Sequence, residues 1–245
     1  GELIMEYGLQ MYSVRDITKT DLEGAMKAVA EMGYTYVEFA GFFGHSAEEV
    51  KGWLDKYGLK VSGTHTGLRE LDADFEGTVK YHKTIGNTNI IIPGHDLSCQ
   101  SKIDEFVEKV NRYQPLLEKE GISLGYHNHS HEFIPNDDGS EIHEQLVYRT
   151  NLNIEIDTFW YFNATHRSAV GIMERLKNRI RVIHIKDGFI GGEGKPLGYG
   201  EAPVAEVYAK AAEMGILMVV ESESLKPDGL TEARQCIEFL RSQEK

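Results

Sequence analysis

Cysteine is almost missing from this chain of 245 residues: Cys99 and Cys236 are the only two. That scarcity excludes a disulfide framework and a thiolate-rich zinc site, so any metal has to sit on nitrogen and oxygen ligands. No segment approaches the roughly 20 apolar residues that span a bilayer. Positive charge is short as well. The 26 Lys and Arg face 39 Asp and Glu, a formal net charge of −13, which argues against a non-specific grip on nucleic acid or an anionic membrane, since both need cationic surface. No Gly-x-Gly-x-x-Gly turn follows the first strand-like run and no Gly-rich phosphate loop occurs, so dinucleotide binding lacks support and a phosphate would find only the scattered cations Arg15 and Arg69. An initiator methionine is absent too. Gly1 stands first, which leaves a removed leader open, and with it both cytoplasmic and periplasmic placement. With 41% apolar and 27% charged residues, the composition is that of a soluble protein with a full core that acts on a small molecule. A homo-oligomer stays open.

What is present is alternation. Short β-prone runs at Tyr7–Tyr12, Tyr36–Phe39, Lys60–Thr64, Asn89–Ile92, Ser123–His127, Asn153–Asp157, Arg181–Lys186 and Leu217–Glu221 are separated by amphipathic runs. The first helix is capped by Asp21, places Leu22, Ala25, Met26, Val29 and Ala30 on one side, and ends near Gly33. Later helices are expected at Ala47–Lys56, Phe75–Ile85, Ile103–Glu120, Glu141–Arg149, Ala169–Lys177, Val204–Met214 and Thr231–Leu240. Four helices leave through the same step, a glycine at Gly33, Gly58, Gly121 or Gly215 two to four residues before a strand. Eight such units predict a single (β/α)₈ TIM barrel across residues 1–245, with an active site at the C-terminal ends of the strands. A doubly wound open sheet would satisfy the same alternation.

Side chains on a strand alternate in direction, so each strand divides into two sets. Leu9, Met11, Val37, Phe39, Leu124, Tyr126, Ile154, Ile156, Ile183, Ile185, Met218 and Val220 form the apolar set that should meet helices. Their alternates point inward: Gln10 and Tyr12, Glu38, His127, Glu155 and Asp157, His184 and Lys186, and Glu221, with His65 just past the third strand. Nearly all fall late in their strands. Burying that many ionisable groups at one end of a barrel is costly unless they hold a cation, a polar substrate or each other. Taken singly, each has an ordinary structural explanation: a hydrogen-bonded core histidine for His184, a buried ion pair for Glu38 or Glu155, backbone pairing for Gln10. Their convergence from separate strands favours a functional cluster.

Several segments carry a resemblance over nearly the whole chain. They are Gly-Leu-Gln-Met-Tyr-Ser-Val-Arg-Asp at Gly8–Asp16, Tyr-His-Asn-His-Ser-His-Glu-Phe at Tyr126–Phe133, Glu-Ile-Asp-Thr-Phe-Trp at Glu155–Trp160, His-Ile-Lys-Asp at His184–Asp187, Leu-Gly-Tyr-Gly-Glu at Leu197–Glu201 and Val-Val-Glu-Ser-Glu at Val219–Glu223. In order and spacing the chain resembles the xylose isomerase-like superfamily of sugar isomerases and epimerases. That superfamily also contains inosose dehydratases, dehydroshikimate dehydratases and the endonuclease IV nucleases. The resemblance implies one divalent ion (Mn, Mg, Co or Zn) with a ligand from each of the fifth to eighth strands. Asp157, His184 and Glu221 carry over directly. The fifth-strand ligand is usually a glutamate; here that position resembles His127, with Glu132 five residues on, and Glu132 is favoured as the oxygen ligand with His127 as its substitute.

The departure at His127 bears on mechanism. Similar epimerases use two metal-bound glutamates to remove and return a proton beside a carbonyl, and only Glu221 has its counterpart here. A histidine opposite it would serve as acid or base and would also suit elimination or hydration of a keto-sugar or 3-keto-glycoside. His129 matches the catalytic histidine of the related dehydratases. Lys186 could add charge at the reacting oxygen, or pair with Glu155 or Asp157. Gln10, Tyr12, Glu38 and His65 would wall the substrate, and Trp160 with Phe159 offers either a face for a sugar ring or plain packing. Four functions follow in order: sugar isomerase or epimerase, lyase or hydratase, non-catalytic sugar binding, and nuclease. The nuclease reading fails on residues, because Trp160 replaces the histidine of its Asp-Thr-x-His motif and Gly188 and Phe189 follow Asp187 where Asp-x-His is needed.

Overall fold

The apolar runs read as strands form one parallel sheet in the computed structural model, which describes residues 4–245, so Gly1 lies outside the described residues. Strands β1 (Gly8–Gln10), β2 (Tyr36–Phe39), β3 (Lys60–His65), β4 (Asn89–Ile92), β5 (Ser123–His127), β6 (Asn153–Glu155) and β7 (Val182–Ile185) are followed by a hairpin, β8 (Asp187–Phe189) with β9 (Glu193–Lys195), and then by β10 (Leu217–Val220). The order β6-β5-β4-β3-β2-β1-β10-β7 brings the outer strands together at a single parallel bridge, Asp157 to His184, where His184 N–H donates to the Ile156 carbonyl at 2.9 Å. The fold is a (β/α)₈ TIM barrel.

Local chemistry explains the helix boundaries. The Asp21 carboxylate accepts from Gly24 N–H at 2.8 Å and opens the helix Leu22–Met32, which buries Leu22, Ala25, Met26 and Val29. At the four helix exits, Gly33, Gly58, Gly121 and Gly215 all take positive φ, between 66° and 107°, the left-handed turn in which a Cβ is disfavoured. Three helices were not foreseen, the first of them the single turn Arg15–Thr18. Leu68–Ala73 is a short turn, and Thr158–Thr165 has an almost continuous aromatic and apolar sequence without a helical stripe. β1 is shorter than expected, because the Gln10 side chain accepts from Tyr12 N–H at 2.9 Å and turns the chain into a 3₁₀ segment, Met11–Val14. That turn leaves Tyr12 44% exposed at the barrel rim.

Tyr12 apart, the predicted division of strand faces holds. Every residue of the apolar set, from Leu9 to Val220, is at most 2% exposed and packs beneath the helices. Inside the barrel the lower half is closed by Ile91, Val182 and Val219. Gly63 keeps room there: a Cβ on it would stand 2.9 Å from Ile91 Cδ1 and 3.0 Å from the Asn89 carbonyl oxygen. Above this plug the interior turns polar.

Candidate active site

The polar layer is assembled from the C-terminal ends of separate strands. His127, Asp157, His184 and Glu221, all buried, each present one ligand atom, and these atoms lie within 4.8 Å of one another; His65, His127, Glu155 and His184 form a second, overlapping group. Period-two alternation produces both sets, since Glu155 and Asp157, or His184 and Lys186, share one face of their strand.

Asp157 divides its two oxygens. Oδ1 accepts from Trp160 N–H at 2.9 Å and caps the helix Thr158–Thr165, while Oδ2 lies 3.2 Å from His127 Nε2. Asn128 accepts from Asp157 N–H at 2.9 Å and pins the backbone. One carboxylate thus terminates a strand, starts a helix and still offers an oxygen to the centre.

His184 is oriented by the acids behind it. Its Nε2 stands 2.6 Å from Glu38 Oε1 and 2.9 Å from Glu155 Oε1, so that nitrogen carries the proton. Nδ1 is buried without a hydrogen-bond partner, 3.7 Å from Glu221 Oε1 and 3.9 Å from Asp157 Oδ2. Burial would lower His184, but Glu155, Glu38 and Glu221 outweigh it and raise the imidazole well above its ordinary value, so Nδ1 also holds a proton, between two carboxylates. A cation fits where that proton sits, and the Glu38–His184 contact is the carboxylate–imidazole support common behind metal-binding histidines. Gln10 Nε2 donates to Glu38 Oε1 at 2.7 Å and steadies it in turn.

The charges agree with that fit. Five carboxylates, Glu38, Glu155, Asp157, Glu221 and Glu223, share the cluster with one lysine, Lys186, whose Nζ lies 2.9 Å from Glu223, 3.3 Å from Glu221 and 3.8 Å from Asp157. Burial lowers the Lys186 value, but Asp157 and the two glutamates outweigh it and keep the ammonium charged. Burial would raise Glu221, yet Lys186 and His184 hold it well below the usual carboxylate range. Burial, together with His184 and His65, pushes His127 down to about 3, leaving the neutral imidazole that a ligand or base requires. Burial and Glu38 push Glu155 up to about 7, whereas Glu38 and Glu155 overcome burial and raise His65 to about 10. The cluster is rich in negative charge relieved only by protons on its imidazoles and one lysine, and the N₂O₂ donor set His127, His184, Asp157, Glu221 could hold a divalent ion.

The remaining candidates fall into three places. Tyr12, His65, His127, His129, Glu221 and Glu223 border a cavity of about 400 Å³ above the cluster. Gln10 and Glu38 are fully buried beneath it, behind His184 rather than on its wall. Trp160 is half-buried, with its ring centroid 4.5 Å from Lys186 Nζ. Glu132 stands apart from both ligand groups: it accepts from Tyr126 O–H at 2.7 Å and from His129 N–H at 2.8 Å, so it holds the loop after β5 while His127 enters the centre. Lys186 pairs with Glu221 and Glu223 and, at longer range, with Asp157, not with Glu155. Glu223 and Asn128 were not singled out from sequence. Glu223 could have been, since it lies two residues beyond Glu221 and continues the alternation.

Known proteins are similar along nearly the whole chain. The 2-oxo-tetronate isomerase of Haemophilus influenzae is 26% identical over 235 residues, covering 84% of this chain and 88% of that protein. A sugar phosphate isomerase/epimerase from Parabacteroides distasonis superposes with a TM-score of 0.83 at 24% identity, over 99% of this chain and 95% of the other. D-Psicose 3-epimerase from Clostridium cellulolyticum does so with a TM-score of 0.72 at 16% identity, over 97% and 99%. At these identities the solved structures speak for the fold. The model of the xylose isomerase-like TIM barrel matches residues 26–243, and the chain belongs to that family.

Proposed function

We propose that this protein is a metal-dependent sugar isomerase or epimerase that moves a proton next to the carbonyl of a sugar or sugar derivative. The observation that carries the reading is the buried, unpartnered Nδ1 of His184 facing Asp157 and Glu221. His127, Asp157, His184 and Glu221 would hold the ion, one of Mn, Mg, Co or Zn, which when bound polarises the substrate oxygen and eases loss of the neighbouring proton. Glu221, ionised beside Lys186, takes that proton. Glu221 returns that proton from the same side in an isomerisation, or keeps it while His129, protonated from solvent, delivers another from a different side in an epimerisation; His127 would stay on the ion, and Lys186 offsets charge gathering on the oxygen. His65 and Tyr12 border the sugar, and Trp160 supports Lys186 from its ring face. Gln10 and Glu38 act through His184. The names of the relatives, two isomerases or epimerases and an epimerase of a keto sugar, point the same way.

A second reading, elimination or hydration on a keto-sugar or 3-keto-glycoside, is favoured by the nitrogen ligand that β5 delivers in His127, with His129 beside it at 5.2 Å between ring centroids. Proton NMR of keto sugars and 3-keto-glycosides incubated with the protein in D₂O separates the two. Deuterated product of unchanged skeleton supports isomerisation, and an unsaturated or cleaved product supports the lyase. Chelation or Asp157→Ala should abolish either reaction while circular dichroism stays that of a folded barrel. Full turnover after rigorous chelation refutes the metal-dependent reading.

A further inference from the structure

The cavity above the cluster continues sideways. At Gly41, His65 and Glu70 it shares its wall with a second cavity of about 290 Å³, lined further by Phe42, Asp74, Thr78 and Tyr81. Together the two fall within the roughly 300–1,000 Å³ of pockets that enclose ligands larger than a single small ring. The second cavity has an aromatic side, where the rings of Phe42 and Tyr81 lie 4.4 Å apart at 39°. The Tyr81 hydroxyl is committed to the His45 carbonyl at 2.7 Å, so this side presents ring surface and not a donor.

The other side is acidic. Glu70, at the junction of the two cavities, is exposed and forms no ion pair among the described residues, and Asp74 uses its carboxylate to cap the helix Phe75–Thr84. No lysine or arginine lines either cavity. The nearest cations are already engaged: the His65 imidazolium on the shared wall is held by Glu38 at 2.8 Å and Glu155 at 2.9 Å, Lys186 sits among Asp157, Glu221 and Glu223, and Arg15 lies over the Tyr12 ring while donating to the Glu223 carbonyl. A phosphate group placed here would meet the Glu70 and Asp74 carboxylates, while each nearby cation is already paired. Neutral hydroxyls, by contrast, donate to carboxylates, and the C–H face of a sugar or an aromatic aglycone stacks on rings.

Resting on the reading of the cluster as the catalytic centre, we propose that the substrate is an unphosphorylated glycoside-sized molecule. Its reacting ring lies over His127 and Glu221, and its second unit, a sugar or an aglycone, occupies the cavity bounded by Phe42, Glu70 and Thr78. Isothermal titration with phenyl β-D-glucopyranoside, D-glucose and D-glucose 6-phosphate tests this without turnover. The glucoside should bind about tenfold more tightly than glucose, and the phosphate no better than glucose. Thr78→Trp, which fills the second cavity, should bring the glucoside-to-glucose ratio to about one, and Glu70→Lys should strengthen binding of the phosphate about tenfold. The proposal is overturned if glucose 6-phosphate binds best to the unaltered protein, if none of the probes binds, or if both variants, folded by circular dichroism, leave every ratio unchanged. Deuterium exchange with these ratios absent refutes the substrate class and keeps the proposed reaction; the ratios without exchange do the reverse.

Discussion

Replacing Glu38 by glutamine tests whether the acid behind His184 sets that imidazole's role. Glu38 is fully buried, and its Oε1 receives His184 Nε2 at 2.6 Å, His65 Nε2 at 2.8 Å and Gln10 Nε2 at 2.7 Å. Glu38→Gln keeps the shape but removes the charge and turns one acceptor into a donor, so the proton on His184 Nε2 is no longer fixed and Nδ1 is no longer reserved for the ion. Losing such a support typically weakens metal binding about 10- to 100-fold. At a metal concentration about 100 times the dissociation constant, binding stabilises the native state by about 2.7 kcal/mol, and the variant at the same concentration retains about 0.4–1.4 kcal/mol. For a chain of this size that is a melting-point rise of about 5–10 °C reduced to about 1–6 °C. Differential scanning calorimetry of chelated protein titrated with Mn²⁺ or Zn²⁺ reads both numbers, and isothermal titration gives the affinities directly. An equal rise in the variant and the unaltered protein, or none in the unaltered protein, refutes the assignment.

Three further outcomes follow from other parts of the structure. Asp187 accepts from the backbone N–H groups of Gly188, Gly198, Gly200 and Ala202 at 2.8–3.0 Å and ties the hairpin β8–β9 to the loop after it; Asp187→Asn should cost about 2–4 kcal/mol in urea unfolding, because amide oxygen replaces charged acceptors, and unchanged stability would show that the loop is held elsewhere. Burial, with Arg175 and Arg179 nearby, pushes His143 down to about 3; since its folded value lies below the unfolded one, stability is lost as pH falls from about 6.5 toward 3, by about 2 kcal/mol at pH 5, and His143→Phe should remove that loss when unfolding is compared at pH 7 and pH 5. Metal should slow hydrogen exchange of the His184 amide, which donates to Ile156 across the β6–β7 seam, and an identical exchange rate with and without metal would separate ion binding from barrel closure.

The part of the site that lies on strands was legible in the sequence because strand alternation has a strict period. Once Ile183 and Ile185 are placed under the helices, His184 and Lys186 must face inward, and the same step fixes Glu38, His127, Glu155 and Asp157. Residues that leave the strand were less legible. Tyr12 was expected to follow Gln10 inward, but its N–H donates to the Gln10 side-chain oxygen and the chain turns first. Glu132 was expected among the ligands because carboxylate is the commoner donor at β5, yet its oxygens are committed to Tyr126 and His129 N–H, contacts that no spacing rule anticipates. Thr158–Thr165 lacked a helical stripe because it touches β7, β8 and the turn His131–Phe133 on different sides, and its start is set by the Asp157 cap rather than by its own pattern.

These features meet at one place in the barrel. Seven of the eight neighbouring strand pairs are joined by ladders, but β6 and β7 meet only through the Asp157–His184 bridge. The two residues of that bridge are also two of the four grouped candidate ligands, and the other two, His127 and Glu221, come from the ends of the strands flanking the seam, β5 beside β6 and β10 beside β7. Backbone pairing is thinnest where the candidate ligands gather. An ion bound there would draw β5, β6, β7 and β10 together and replace with coordination what the seam lacks in ladder bonds, so the requirement that closes the barrel and the requirement that builds the site fall on the same side chains.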